Sequence, residues 1–497
     1  MGKNNTAVII GAGIGGLATA VYLAKEGYKV RVYEKNPSPG GRCGQIIRDG
    51  YRFDLGATMV LMPGIYHEVF KSLNIKLEEG KDLIPLVNLY RIWFDDNSFL
   101  DFTTNDARMK EQLEKTEPGS YHNYRKYIAK GYEIFTSSMT NLIDRNFYNL
   151  FQLVNLRNIP FLFRIKAFTP HFDYARKFFR HPHLLMAFTF QNIYVGQSPF
   201  DSPALFSMVP AAELTEGSFF PSAGGLFSIP EKLYNAASES GVEFNFSSPV
   251  KKIIPEGNKA SGIELDDGTV VNADIIVANA DLPYVYRELL PGKRMSKHLD
   301  SLKYSCSAIC FHWGMDKTYP FLDHHNVFLS YGFREGLDRI FRDKSVSDAP
   351  SFYVHAPARS DPSAAPERCD ALSVIVAAGH LDPRFRQDWD ETVRRTRKSV
   401  ISRLKKLGLE DFEEHIKTEI CLTPADWQNI CNISRGSVFG SLGHNILQMG
   451  YFRPHNRHDK YLNVYFVGGS THPGNGIPNV LISAKLVSER ILKETHK

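Results

Sequence analysis

Residues 6–16 read Thr-Ala-Val-Ile-Ile-Gly-Ala-Gly-Ile-Gly-Gly. An apolar run breaks into Gly11-x-Gly13-x-x-Gly16, and a helical pattern follows from Leu17 to Glu26. Val30-Arg-Val-Tyr-Glu34 is then a second strand-like run that closes on an acid. Strand, glycine turn, helix and acid-terminated strand in this order predict a βαβ unit that holds a dinucleotide. Gly11 permits the tight turn, Gly13 lets a pyrophosphate approach the backbone, and Gly16 lets helix and strand pack closely. The helix start at Ile14-Gly15 offers unpaired N–H groups to phosphate. Glu34 is placed to accept hydrogen bonds from a ribose and disfavours a 2′-phosphate.

The next segment, Lys35-Asn-Pro-Ser-Pro-Gly40-Gly41-Arg42, narrows the cofactor. A second glycine pair with an arginine supplies a charge-assisted clamp for the same pyrophosphate. A nicotinamide domain does not need that clamp. The pattern resembles the FAD-binding superfamily of amine oxidases and related flavoproteins.

The bulk composition fits a sizeable globular enzyme. The chain has 497 residues, 43% hydrophobic and 23% charged, enough for two or three domains. A net charge of +5 is too mild to imply a nucleic-acid partner. The six cysteines form no CxxC pair and the histidines show no zinc spacing, so no metal site is expected and reduced, cytosolic thiols are the default. Neither a signal peptide nor a transmembrane run is expected.

Along the chain the cofactor-binding part reads as discontinuous. Residues 1–90 open it. Block 215–290 carries Gly224-Gly225, a helical stretch at Ile229–Ala237 and a strand-like run at Val242–Phe246. A strand from Pro249, a hairpin over Ser261–Ala273 and a buried strand ending in Asn279-Ala-Asp281 complete this block. Block 430–497 holds the apolar run Val464–Val467, the glycines 468, 469, 474 and 476, and a final helix with Pro478 at its first position. Residues 91–214 and 291–429 are left for a substrate- and membrane-binding part.

Segment 145–180 stands apart. It interleaves seven Lys or Arg and a single acid, Asp173, with eight phenylalanines. That composition suits an anionic membrane surface, where cations snorkel and rings enter the interface. Lining of an apolar pocket and plain core are the competing readings.

Further motifs carry a closer resemblance. Tyr451-Phe-Arg453-Pro454-His-Asn-Arg457 and Gly468-Gly-Ser-Thr-His472-Pro473-Gly474-Asn-Gly476-Ile-Pro478 resemble the bacterial and fungal phytoene desaturase family. Phe53-Asp54-Leu-Gly56, Tyr194–Pro199, Phe220–Gly225 and Ser351–Val354 with Asp361–Pro366 are similar to other family elements. The resemblance spans nearly the whole chain and is weakest over 100–180. It implies an α/β fold, with a Rossmann-type FAD-binding domain and a discontinuous sheet-plus-helix substrate domain. It also implies non-covalent FAD, a long isoprenoid or carotenoid substrate, a peripheral membrane habit on the cytoplasmic side, and oxygen or a quinone as electron acceptor. The ADP and pyrophosphate would be held by Gly11, Gly13, Ile14, Gly15, Gly16, Glu34, Lys35, Gly40, Gly41 and Arg42. Gly56, Ala57, Thr58 and Met59 would pass near the flavin ring, and Val250 would meet the adenine side. Gly468, Gly469, Gly476, Ile477 and Pro478 would sit at the ribityl and isoalloxazine end, where a helix N-terminus favours the reduced flavin's negative charge.

The implied reaction is hydride transfer from an allylic carbon to flavin N5, with proton loss from the neighbouring carbon. Asp144-Arg145 resembles imperfectly a family Arg/Asp element, which makes Arg145 the candidate catalytic residue. A solvated helix end is the plainer reading of that pair. His472 lies in the glycine-rich motif, where a satisfied loop histidine is the common case. One departure is Ala57, where the family often has proline. Carotenoid isomerisation and terminal-methyl oxidation remain as alternatives, as do another flavin amine oxidase and a non-catalytic carotenoid-binding protein.

Overall fold

The computed structural model describes residues 5–153, 158–290 and 292–495. At its centre is a five-stranded sheet with spatial order Glu243–Asn245, Lys29–Tyr33, Thr6–Ile10, Ile275–Ala278, Val464–Phe466. Every pair in it is parallel, with Ile9 opposite both Val32 and Val277. The three glycine-rich blocks of the sequence therefore meet in one sheet.

The reason is visible in the apolar alternation. Ala7, Ile9, Val30, Val32, Ile275 and Val277 pack on one face against helices Ile14–Lys25, Ser228–Glu239 and Ile477–Thr495. Val8, Ile10, Ile276, Ala278, Val464 and Phe466 pack on the other, against the antiparallel sheet Val250–Glu256, Lys259–Leu265, Val270–Asn272. A strand buried on both faces reads as a continuous apolar run, and this is how Thr6–Ile10 and Ile275–Ala278 read. The final helix begins at Ile477, so Pro478 occupies its second position. The difference costs nothing, because the first-turn N–H groups have no partner within a helix.

A seven-stranded sheet forms the other half, in the order Ile416–Leu422, Ser307–Met315, Asp370–Ala378, Phe352–His355, His325–Phe328, Tyr90–Trp93, Phe99–Phe102. Its pairs are antiparallel except for His325–Phe328 with Tyr90–Trp93. Helix Trp389–Lys405, capped by the Asp388 side chain, covers one face through Val400, Ile401 and Leu404. Helices Ser120–Ser138 and Met208–Glu216 pack together nearby.

Segment 145–180 divides its phenylalanines between interior and surface. Phe147 and Phe161 join one buried cluster, and Phe178 and Phe179 another. Phe151, Phe163 and Phe168 are 80%, 75% and 88% exposed. Arg157 lies outside the described residues. Among the described residues, no helix is long and apolar enough to cross a membrane.

Candidate functional site

A cavity of about 600 Å³ runs from the central sheet into the seven-stranded half. It opens where strands of the parallel sheet end, at Gly11, Glu34, Asn279 and Gly468. Carboxyl ends of parallel strands are the usual ligand position in such sheets.

The glycine turn is built around Asn279. Its Nδ2 donates to the Gly11 carbonyl at 3.1 Å. A Cβ on Gly13, Gly15 or Gly468 would lie 3.0, 2.7 or 3.2 Å from the same amide. Gly11 has φ +97°, and a Cβ on Gly16 would lie 2.2 Å from the Gly11 carbonyl. At Gly11 and Gly16 any other residue would strain or move the backbone, and at Gly13, Gly15 and Gly468 it would displace the Asn279 side chain. Gly13 caps helix Ile14–Lys25 with no side-chain acceptor, so the first-turn N–H groups remain available.

Glu34 is buried beside this turn. Its Oε2 accepts from the Ala12 N–H at 2.8 Å and its Oε1 from the Asn36 N–H and Nδ2, both at 2.9 Å. Lys35 donates to Asn432 Oδ1 at 2.9 Å. Arg42 donates to the Val438 carbonyl at 3.0 Å, and its guanidinium reaches Gly469. It thereby links the Gly40-Gly41 loop to the C-terminal motif. Gly56 packs so tightly that a Cβ would lie 2.6 Å from the Arg42 carbonyl. Thr58 Oγ1 accepts from the Tyr353 hydroxyl at 3.0 Å.

Arg453 organises the C-terminal loops from within the core. It is 1% exposed and donates to the carbonyls of Thr471, Gly443, Gln448 and Gly469 at 2.9, 3.1, 3.2 and 2.6 Å. Burial pulls its pKa down to about 9. Asp54 does similar work on the other side. Its Oδ1 accepts from the Leu226 N–H at 2.8 Å, and a Cβ on Gly225 would lie 2.6 Å from it. Burial pushes the Asp54 carboxyl up to about 7.

Every residue expected to contact the cofactor lines the cavity except Gly16, whose part is the helix–strand contact. Gly468 and Gly476 take positive φ, and Ile477, Pro478 and Val480 bring the first turn of the last helix to the cavity wall. Val250 lines the cavity at the nucleotide end, as do Gly40 and Gly41; Ala57 and Met59 line it near Thr58. The charged side chains of the lining, Glu34, Lys35, Arg42 and Asp281, all lie toward the dinucleotide turn. A cradle of glycine backbone with one acid and one fixed guanidinium fits an ADP-bearing cofactor.

Arg145 is not brought to this cavity. Its guanidinium stacks 5.2 Å from the Phe147 ring and borders a separate surface recess with Asp144 and Lys485. Asp144 pairs with Lys485 at 3.0 Å. Only the Arg145 backbone approaches the site, its carbonyl accepting from His472 Nε2 at 2.9 Å. His472 lines the cavity, and burial pulls its pKa down to about 4, which leaves the ring neutral.

Beyond Thr58 the wall turns apolar. Phe190, Leu205, Phe206 and Val209 line it, as do Leu329, which follows the strand His325–Phe328, and Phe333, Leu337 and Ile340 of the next helical segment. None of the eight phenylalanines of segment 145–180 lines it. The sequence reading missed this arm, because its residues are scattered in the chain and share no motif. Arg453 was visible only as a motif member and Asn279 only as the polar end of a buried strand, without the packing roles described above.

Comparison with known proteins agrees with this geometry. A family model described as flavin-containing amine oxidoreductase matches residues 14–492. The chain is 40% identical to a zeta-carotene-forming phytoene desaturase of Myxococcus xanthus, covering 98% of this chain and 94% of that protein. It is 39% identical to a phytoene desaturase of Phycomyces blakesleeanus, covering 97% and 84%. A 4,4'-diapolycopene oxygenase of a Methylomonas species is 30% identical, covering 99% of each chain. Among solved structures, a putrescine oxidase shares the fold with TM-score 0.65 at 12% identity, covering 98% of this chain and 99% of that one. The chain belongs to the flavin-containing amine oxidoreductase family and, within it, to the phytoene desaturase group.

Proposed function

We propose that the protein is an FAD-dependent carotenoid desaturase that removes two hydrogens from adjacent carbons of a long isoprenoid. The observation that carries this reading is the union of a glycine-cradled dinucleotide pocket with an apolar arm in one cavity. FAD supplies the two-electron acceptor for a hydride. In this reading residues 1–90, 215–290 and 430–497 hold the cofactor, and 91–214 and 291–429 receive the substrate. The ADP end rests on Gly11, Gly13 and Glu34, with Lys35, Gly40, Gly41 and Arg42 beside the pyrophosphate. The turn Gly56–Met59 and the segment Gly468–Pro478 flank the junction with the apolar arm.

The chain contributes binding, orientation and exclusion of water. Burying a long polyene removes several hundred Å² of apolar surface from water, on the order of 10 kcal/mol gross before ordering costs. His472 and Tyr353 on the cavity wall stay neutral, since burial disfavours their charged forms. An allylic cation is itself a strong carbon acid, so a weakly basic acceptor suffices to take its proton. Arg145 meets this wall only through its backbone carbonyl, which holds His472, so it is a positioning residue.

We also propose that the substrate arrives from a membrane surface. Phe163 and Phe168 are strongly exposed among exposed Arg164 and Lys166, the arrangement an anionic interface favours. Reoxidation by oxygen or by a membrane quinone is distinguished by measuring oxygen uptake during turnover.

The test is expression in cells that make a panel of acyclic and cyclised carotenoids, followed by chromatography and absorption of the pigments. Desaturation lengthens the chromophore and shifts absorption to the red. An unchanged conjugation length would point to isomerisation, and an oxygenated end group to terminal oxidation. An unchanged pigment set from flavin-loaded protein would sink the proposal.

A further inference from the structure

We propose that His324, His325 and His355 form a three-imidazole site for a divalent transition-metal ion of the zinc class. Sheet register creates the cluster. Strand His325–Phe328 pairs antiparallel with Phe352–His355, and the register sets His325 opposite His355. Their rings lie 5.3 Å apart at 25°. His324, one residue upstream, brings its Nε2 to 3.1 Å from His355 Nε2. One donor nitrogen from each of the three lies within 4.8 Å of the others.

Two of the three outward nitrogens are held as metal ligands usually are, and the third, His355 Nδ1, is buried without a partner. His324 Nδ1 lies 2.7 Å from Ser360 Oγ, and His325 Nδ1 lies 2.6 Å from the Tyr353 hydroxyl. An outer hydrogen bond of this kind orients a ligating imidazole and fixes its tautomer. His325 is 1% exposed, yet its Nε2 has no hydrogen-bond partner. A buried polar atom without a partner is costly, and a cation among the three rings would give it one. Two nitrogens held at 2.0–2.1 Å around a tetrahedral ion are about 3.3 Å apart, close to the spacing of His324 and His355. One imidazole–imidazole hydrogen bond would explain that pair as well, but it leaves His325 Nε2 unsatisfied.

Imidazole donors suit zinc, copper, nickel and iron, and the absence of a carboxylate among them disfavours magnesium and calcium. Three neutral ligands leave the fourth position to water or a small anion. The Phe220 ring lies 4.4 Å from His324 and closes one side. The site would also brace the substrate cavity, because Tyr353 hydrogen-bonds both His325 and Thr58, and Tyr353 and Thr58 line the cavity wall. The metal assignment does not depend on which substrate the cavity takes.

The experiment uses the full-length flavin-loaded protein, free of any histidine tag and dialysed without chelator. Elemental analysis is expected to find about one zinc-class ion per chain. After chelation, added Co²⁺ should produce visible absorption bands not due to flavin, and Zn²⁺ should abolish them. His325→Gln and His355→Gln should each lower metal affinity at least tenfold, while the exposed-site variant His298→Gln retains wild-type metal content. Should the first two fail to fold, Tyr353→Phe removes the outer hydrogen bond to His325, together with that to Thr58, leaves all three imidazoles in place and should weaken binding on the order of 10–100-fold. Wild-type protein that carries no ion and gives no cobalt bands overturns the proposal. So does undiminished binding in His325→Gln, or in Tyr353→Phe if that is the variant that folds.

Discussion

The Asn279 side chain donates a 3.1 Å hydrogen bond to the Gly11 carbonyl, joining residues 268 positions apart in sequence. That amide occupies the space that side chains at Gly13, Gly15 and Gly16 would need. The dinucleotide turn is thus completed by the strand Ile275–Ala278, which lies beside Thr6–Ile10 in the sheet. Asn279→Asp replaces the donor with an acceptor facing a carbonyl and should lower FAD retention. Arg42→Ala and Gly13→Val should do the same through the pyrophosphate clamp and the cradle. The ratio of flavin to protein absorbance after gel filtration reads all three. Normally yellow protein from these variants would contradict the cofactor assignment.

Arg453 ties four backbone carbonyls together beneath the cavity. Arg453→Met keeps most of the volume but leaves those acceptors buried and unpaired, each costing about 1–3 kcal/mol if it finds no other partner. Thermal melting should show marked destabilisation, and flavin should be released well below the unfolding temperature. Arg453→Lys, with fewer donors and no planar fork, should recover only part of the loss.

Asp54 makes stability depend on pH. Burial raises its folded-state pKa to about 7, against about 3.9 for an unperturbed carboxyl. Between these values the folded protein keeps a proton that the unfolded chain has released. Stability from this group therefore falls as pH rises from about 4 to about 7 and is level above that. Asp54→Asn keeps an acceptor for the Leu226 N–H and removes the titration. Urea unfolding at about pH 5 and about pH 8 should show a smaller alkaline loss in the variant, by up to about 3 kcal/mol at about 1.4 kcal/mol per pH unit over the two units between pH 5 and the folded pKa. Equal losses in both proteins would count against a protonated Asp54.

Phe163 and Phe168 are exposed in a basic setting and lie outside the cavity lining. The double variant Phe163→Ser, Phe168→Ser should float poorly with anionic liposomes while keeping its flavin and its fold. High salt should weaken wild-type binding, because part of the attraction is charge. Salt-insensitive flotation, or none at all, would remove the membrane reading.

Much of the fold was legible because its signals are local. Glycines 11, 13 and 16 set backbone angles and close approaches within one turn, and the runs at Thr6–Ile10 and Ile275–Ala278 announce strands buried on both faces. The C-terminal segment Gly468–Pro478 declared its tight loop and helix start in the same way. Composition could not divide the phenylalanines of segment 145–180 into buried Phe147 and Phe161 and exposed Phe163 and Phe168, since burial depends on what packs above each ring. Nor could adjacency of Asp144 and Arg145 reveal that the guanidinium points away from the cavity.

By itself, the sequence determined the glycine turn after the first strand, the acid at Glu34, the Gly40-Gly41-Arg42 loop and the apolar periodicity of the sheet. These depend on a residue and its near neighbours. Tertiary structure alone decided that Asn279 would fill the glycine turn, that Arg453 would gather four carbonyls, and that an apolar arm would join the cofactor pocket. It also decided that His325 would meet His355, because antiparallel register is set by the packing of whole strands, and one residue of slip would turn one ring to the opposite face.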